Sequence, residues 1–215
     1  MVRRRISGTG RTAEGWWAKE ATTVKEVHLQ TPLQEREVRD LRVGDTVYLT
    51  GIVLTARDMA HLRLRQLVQE GRSLPESMEG AVIFHAGPVV TGREGAYRLE
   101  VIGPTTSIRM EPHSDFICGL GVRAVVGKGG MGPGTVEAFG RHGAVYLHAA
   151  PGCAVKHSQA VVAVERAHWS ELGMPEAMWV LRVRDWGPLV VGIDSHGADL
   201  VREIRERGAA IVAGI

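Results

Sequence analysis

Tyr97-Arg98-Leu99-Glu100-Val101-Ile102-Gly103-Pro104-Thr105-Thr106-Ser107-Ile108-Arg109-Met110 carries a complete strand-to-loop transition. Residues Tyr97 to Ile102 follow the two-residue apolar period of a half-buried strand. Gly103 and Pro104 end it. Two threonines and an arginine then stand where a strand hands over to a loop or a helix start. A free backbone N–H, a hydroxyl and a guanidinium converging at such a point make a carboxylate-sized pocket. An N-capping threonine followed by a surface arginine fits the same residues. If the turn continues as helix, Thr105 and Arg109 lie four apart and share a face.

Two more junctions of this kind occur. Thr46 to Leu54 alternates apolar and polar residues and reads as a strand. Thr55-Ala56-Arg57-Asp58 then has the form of a capping box, which predicts a helix with Leu64, Leu67 and Val68 on its inner face and an end at Gly71. Arg57 stands at the start of that helix, at the carboxyl end of a strand, where open sheets place ligands. His61 lies four residues on, on the same face. The third junction follows the apolar strand Val122 to Val126. Its turn, Gly127-Lys128-Gly129-Gly130-Met131-Gly132, lets backbone approach a ligand closely and adds one mobile point charge, Lys128. Gly127, Gly129 and Gly132 also satisfy Gly-x-Gly-x-x-Gly between a strand and a helix, so a non-enzymatic nucleotide-binding module is the alternative reading. The acidic residue expected about 20 positions on is missing: no Asp or Glu occurs between Glu137 and Glu165. A Walker A loop is excluded, because Gly121 is one residue too far from Gly127 and Gly129 stands where Ser or Thr is needed.

Converging junctions would turn the three cations Arg57, Arg109 and Lys128 toward one cavity, with the Thr105 hydroxyl among them. That suits a small dicarboxylate. A hydroxyl is a poor base unaided, so such a site needs another group or a metal.

The remaining elements set the fold class. Val27 and Leu29 begin a first strand, broken near Pro32. Ala81 to Phe84, Ala144 to His148, Met178 to Val183 and Leu189 to Ile193 read as strands, and Ala160 to Val164 as helix or strand. Helices are predicted within Asp115 to Leu120, around Val136 to Arg141, and from Asp199 to Arg207. Several strands neighbour one another without an intervening helix. The pattern therefore predicts an α/β fold with a mixed sheet and packed helices. Residues 1–25 read as an N-terminal extension, with Trp16-Trp17 a possible partner contact, and 26–215 as one domain.

The chain has 215 residues, 44% hydrophobic and 23% charged, as expected of a soluble globular protein. A net charge of +2 gives no reason to expect a nucleic-acid partner. No apolar run approaches the roughly 18 residues of a membrane span, and no apolar core follows Arg3-Arg4-Arg5, so neither membrane nor export is predicted and the cytoplasm is the expected compartment. Cys118 and Cys153 make no disulfide framework and cannot alone hold an iron–sulfur cluster. His148, Cys153 and His157 have metal-compatible spacings but no accompanying ligand motif, and no metal site is predicted.

Taken together, Thr55-Ala56-Arg57-Asp58 with His61, Phe84-His85-Ala86-Gly87-Pro88, Gly103-Pro104-Thr105-Thr106 with Arg109-Met110, and Val126-Gly127-Lys128-Gly129 resemble the beta-type subunit of iron–sulfur hydro-lyases, the class I fumarases and L(+)-tartrate dehydratases. Pro151-Gly152-Cys153-Ala154, His168-Trp169 through Glu171-Leu172-Gly173-Met174-Pro175-Glu176, and Asp194 with His196-Gly197 agree. The resemblance runs from about Val27 to Leu200. It implies a swivelling β/β/α domain and reversible addition of water to a four-carbon dicarboxylate. It also implies a [4Fe-4S] cluster ligated by an alpha-type partner subunit rather than by this chain. By position it makes Thr105 the proton-transfer residue and Arg57, Arg109 and Lys128, with His61, the substrate-binding residues. The runs Gly127 to Gly132 and Gly173 to Glu176 look closer to tartrate dehydratase beta subunits.

Overall fold

A computed structural model describes residues 24–214. Arg3-Arg4-Arg5 and Trp16-Trp17 lie outside the described residues. The described strands are β1 (Glu26–Gln30), β2 (Thr46–Thr55), β3 (Val82–Phe84), β4 (Val89–Thr91), β5 (Arg98–Val101), β6 (Ala124–Gly127), β7 (Val145–His148), β8 (Val161–His168) and β9 (Met178–Ile193). The helices are α1 (Glu35–Arg39), α2 (Asp58–Gln69), α3 (Ser114–Gly119), α4 (Pro133–His142), α5 (Ala154–Ala160) and α6 (Leu200–Ala213), with a 3-10 segment over Ser107–His113.

Seven strands form one mixed sheet in the order β1-β2-β3-β6-β7-β9-β8, and β9 also pairs with β2. Strands β1, β2, β3, β6 and β7 run parallel to one another, while β9 is antiparallel to β2, β7 and β8. Because β9 meets both β7 and β2, the ring β2-β3-β6-β7-β9 closes on itself. The mixed sheet expected from adjacent strands without helices between them is thus present.

Both faces of the parallel strands are buried, and side-chain alternation sorts them. Val82, Phe84, Ala124, Val126, Val145 and Leu147 join one apolar cluster, with Trp186 and Leu189 of β9. Ile83, Val125 and Tyr146 point the other way, into a cluster with Leu64 of α2, Ile117 of α3 and Phe139 of α4. No described helix is long and apolar enough to cross a membrane.

The structure departs from the sequence reading at identifiable points. Thr55 caps no helix. β2 runs on to Thr55, whose hydroxyl accepts from Trp179 N–H (2.9 Å) and donates to Ala177 O (3.3 Å). α2 starts at Asp58 with Arg57 as N-cap, and the Arg57 side chain makes no capping hydrogen bond. Its inner face is Ala60, His61, Leu64 and Leu67, whereas Val68 falls outside the helical stripe and is exposed. Thr105 lies ahead of the 3-10 segment, so it and Arg109 do not share a helical face. Met178 to Ile193 is one strand rather than two: a break in register around Asp185 to Pro188 is absorbed, and pairing to β2 resumes. Between Ala160 and Val161 a helix gives way to a strand, which accounts for the ambiguous reading there.

Thr55 is fully buried, so Thr55→Val leaves Trp179 N–H and Ala177 O without its hydroxyl. We expect a loss of about 1–3 kcal/mol in urea unfolding with an unchanged denaturant slope. A variant as stable as the parent would show that this tie between β2 and β9 carries no weight.

Candidate active site

Adjacent parallel strands β2, β3 and β6 end side by side; β2 and β6 each bring one predicted junction to this edge of the sheet, while the Thr105 junction follows β5 of the separate two-stranded sheet. Arg57 follows β2 by two residues, His85 follows β3, and Lys128 follows β6. The Thr105 loop is stitched between them by backbone hydrogen bonds. Thr105 N–H donates to His85 O (2.7 Å), Lys128 N–H to Thr105 O (3.2 Å), and Ser107 N–H to Lys128 O (3.1 Å). Both main-chain groups of Thr105 are therefore committed, and its half-buried side chain has a fixed origin.

Close approach here requires a glycine. A Cβ on Gly127 would fall onto Ser107 Oγ and come within 3.1 Å of Tyr146 Oη. Those two hydroxyls belong to a buried chain. Tyr146 O–H donates to Ser107 Oγ (2.9 Å), and Ser107 lies 2.9 Å from His85 Nδ1. Burial pushes the Tyr146 phenol up, so it stays a donor.

The arginines are held by resident carboxylates. Arg109 Nη2 donates to Asp58 Oδ2 at 2.6 Å, which ties the 3-10 segment to the first residue of α2. Both side chains are substantially exposed, so the pair is worth at most about 1 kcal/mol. An external carboxylate could replace Asp58 on Arg109 at little cost. Arg57 Nε lies 3.2 Å from Glu176 Oε1. Lys128 has no carboxylate partner among the described residues. Four hollows among those residues lie elsewhere, one of them lined by Thr31, Pro32, Ile52 and Glu76. Arg57, Thr105, Arg109 and Lys128 thus share a sheet edge but line none of these hollows.

His61 sits behind this edge rather than on it. It is fully buried, and its Nδ1–H donates to Arg57 O (2.8 Å). Its ring packs edge-on to His85 at 5.4 Å and stacks with His113 at 5.1 Å. The three imidazoles come from α2, from the exit of β3 and from the 3-10 segment that carries Arg109. Desolvation lowers all three, His61 to about 4 and His85 well below its ordinary value. The neutral forms leave the three rings free of mutual repulsion beneath the cations.

The α4 N-terminus, where a dinucleotide phosphate would bind, is already occupied. Glu111 accepts from Gly132 N–H (2.8 Å) and Thr135 N–H (2.9 Å), and from the Thr135 hydroxyl. Sequence reasoning missed Glu111, because its partners lie over 20 residues away. It missed the carboxylates of Asp58 and Glu176 as arginine partners for the same reason. Asp194, in a motif of the resemblance, is structural: it accepts from His196 N–H, Ala198 N–H and Val43 N–H.

The family model described as Fumarase C-terminus matches residues 7–204. The chain belongs to the fumarase C-terminus family. Within it, the beta subunit of L(+)-tartrate dehydratase from Escherichia coli K12 is 46% identical over 176 residues, covering 81% of this chain and 86% of that one. A putative beta subunit of the same enzyme from Methanocaldococcus jannaschii is 40% identical, covering 81% and 91%. A putative class I fumarate hydratase from Geobacillus stearothermophilus is 43% identical over 182 residues, which are 84% of this chain but 34% of that protein. The expected kinship with beta-type hydro-lyase subunits is therefore borne out.

The three imidazoles carry a pH signature. His61 accepts a proton near pH 6.5 when unfolded but only near 4 when folded. The unfolded state thus binds more protons in that window, and stability falls as pH drops from 6.5 toward 4. His61 alone accounts for about 2 kcal/mol of loss at pH 5, with His85 and His113 acting in the same direction. Urea unfolding at pH 7.5 and 5.0 should show this loss, and His61→Asn should shrink it. Equal pH dependence in both proteins would contradict the assignment.

Proposed function

We propose that this chain is the beta subunit of a hydro-lyase that adds or removes water on a four-carbon dicarboxylate, fumarate/malate or L(+)-tartrate, and that it works with an alpha-type partner. The observation that carries the reading is the hydrogen-bonded seam uniting Thr105, His85 and Lys128, with Arg57 paired to Glu176 and Arg109 to Asp58 of α2 beside it. In this proposal Arg57, Arg109 and Lys128 hold the two carboxylates. Thr105 moves the proton at the substrate carbon. His61, being fully buried, supports Arg57 through its carbonyl instead of touching substrate. An open wall of this kind, away from the described hollows, needs a second surface to exclude water.

The cluster implied by the family does not fit this chain's own residues. Cys118 is buried in α3, with its thiol pushed up to about 12, and Cys153 is exposed at the start of α5. No group of three His, Cys, Asp or Glu suited to a metal occurs among the described residues. We therefore assign a [4Fe-4S] cluster, which would act as Lewis acid toward the substrate hydroxyl, to the alpha-type partner. The nucleotide-binding alternative loses its ground because Glu111 fills the α4 N-terminus with a carboxylate.

The test is co-purification with a three-cysteine partner, cluster reconstitution, and assays on fumarate and L(+)-tartrate. The isolated chain should be inactive and the complex active. Thr105→Ala should lower kcat by about 10²–10⁴-fold with folding intact, while Arg109→Ala should mainly raise KM. Full activity of the isolated chain, or an unimpaired Thr105 variant, would contradict the proposal.

A further inference from the structure

The run Gly173-Met174-Pro175-Glu176 has no part in the chemistry above, yet the structure fastens it on several sides. Ala177 N–H and Glu176 N–H donate to Gly173 O (2.9 and 3.0 Å). The indole N–H of buried Trp179 donates to Met174 O (2.9 Å), and Val90 N–H meets Met174 Sδ at 3.2 Å. Pro175 packs directly on Gly87, where a Cβ would stand 2.8 Å from Pro175 O and 2.9 Å from its Cα. Two motifs far apart in sequence, His85-Ala86-Gly87-Pro88 and Gly173 to Glu176, thus form one contact. Glu171 adds a tie to α2 by pairing with Arg63 at 3.5 Å.

This framework delivers one side chain, Glu176, to the start of α2. Its Oε2 accepts from Met59 N–H at 3.0 Å, where the helix N-terminus favours an anion. Its Oε1 lies 3.2 Å from Arg57 Nε, and both side chains are largely buried. The Arg57 Nε–H is not aligned on that oxygen and has no other acceptor, so the two are held by charge rather than by a directed bond. Among the described residues, neither terminal nitrogen of Arg57 donates to a protein acceptor. A carboxylate at the inner Nε edge fixes the guanidinium while leaving its outer pair of donors for a second carboxylate.

We propose that Glu176 is a positioning residue: anchored on the α2 N-terminus by the Gly173–Glu176 turn, it orients the Arg57 guanidinium to receive a substrate carboxylate. This rests on the hydro-lyase reading only for the identity of the incoming carboxylate. A helix cap alone would predict lower thermal stability on mutation and nothing at Arg57.

Two measurements separate these roles. In the isolated full chain, the Arg57 side-chain Nε–H resonance, assigned with Arg57→Lys, should be dispersed in the parent. It should collapse toward the free-arginine position in Glu176→Gln, with Glu176→Asp in between. In the reconstituted complex, Glu176→Gln should raise KM for the dicarboxylate by roughly 10–100-fold with kcat far less affected. Gly87→Ala, which displaces Pro175 without touching Glu176, should reproduce both effects in weaker form. An unchanged Arg57 resonance in Glu176→Gln overturns the proposal, as does a fall in melting temperature with KM unaltered. A parent complex inactive on fumarate and tartrate would remove the lyase reading, and the resonance would still decide whether Glu176 orients Arg57.

Discussion

Three backbone hydrogen bonds, Thr105 N–H to His85 O, Lys128 N–H to Thr105 O and Ser107 N–H to Lys128 O, hold this molecule's candidate functional edge together. They extend β-type pairing past the ends of β3 and β6 and insert a loop between two strands' exits. Nothing larger than hydrogen fits at Gly127, because the loop passes over it at the Ser107 hydroxyl. The geometry of Thr105 thus follows from sheet pairing rather than from side-chain contacts. Main-chain bonds survive side-chain substitution, so a hydroxyl placed this way is decoupled from the identity of its neighbours.

Beneath the seam lies a layer of neutral polar groups. Tyr146, Ser107 and His85 form one hydrogen-bonded chain, and His61 packs against both His85 and His113. Above it lie Arg57, Arg109 and Lys128 with two resident carboxylates, Asp58 and Glu176. The two carboxylates differ in kind. Asp58 is exposed and exchangeable, whereas Glu176 is largely buried and anchored to a helix N-terminus. Charge of both signs therefore sits at this edge before any ligand arrives, and the two arginines are restrained by it.

Much of this was legible in the sequence where local signals dominate. The alternating run at Thr46 to Leu54, the apolar Val122 to Val126 and the glycine turn after it gave strands and a junction in place. The junction residues Arg57, Thr105, Arg109 and Lys128 could be named from position alone. Long-range pairing stayed hidden. Thr55 looked like a helix cap because its true partners, Ala177 and Trp179, lie more than 120 residues away. His61 looked like a ligand because helical spacing puts it on Arg57's face, and only burial shows that this face points into the protein. The short elements α1, β4 and α5 were missed because five to seven residues, or three, carry too little periodicity. Glu111 gave no signal and Glu176 stood only as the end of a family motif with no role, since a carboxylate's partner across the fold leaves no mark on its own neighbours.

The central claim is that the carboxyl edge of β2, β3 and β6 forms one wall of a dicarboxylate site completed by another subunit. The most direct test is a crystal structure of the reconstituted complex with malate or L(+)-tartrate bound. The ligand is expected at the subunit boundary, with its carboxylates on Arg57, Arg109 and Lys128 and the Thr105 hydroxyl against its carbon skeleton. A ligand bound wholly within the partner, or a partner docked on another face with this edge left open to solvent, would contradict that claim.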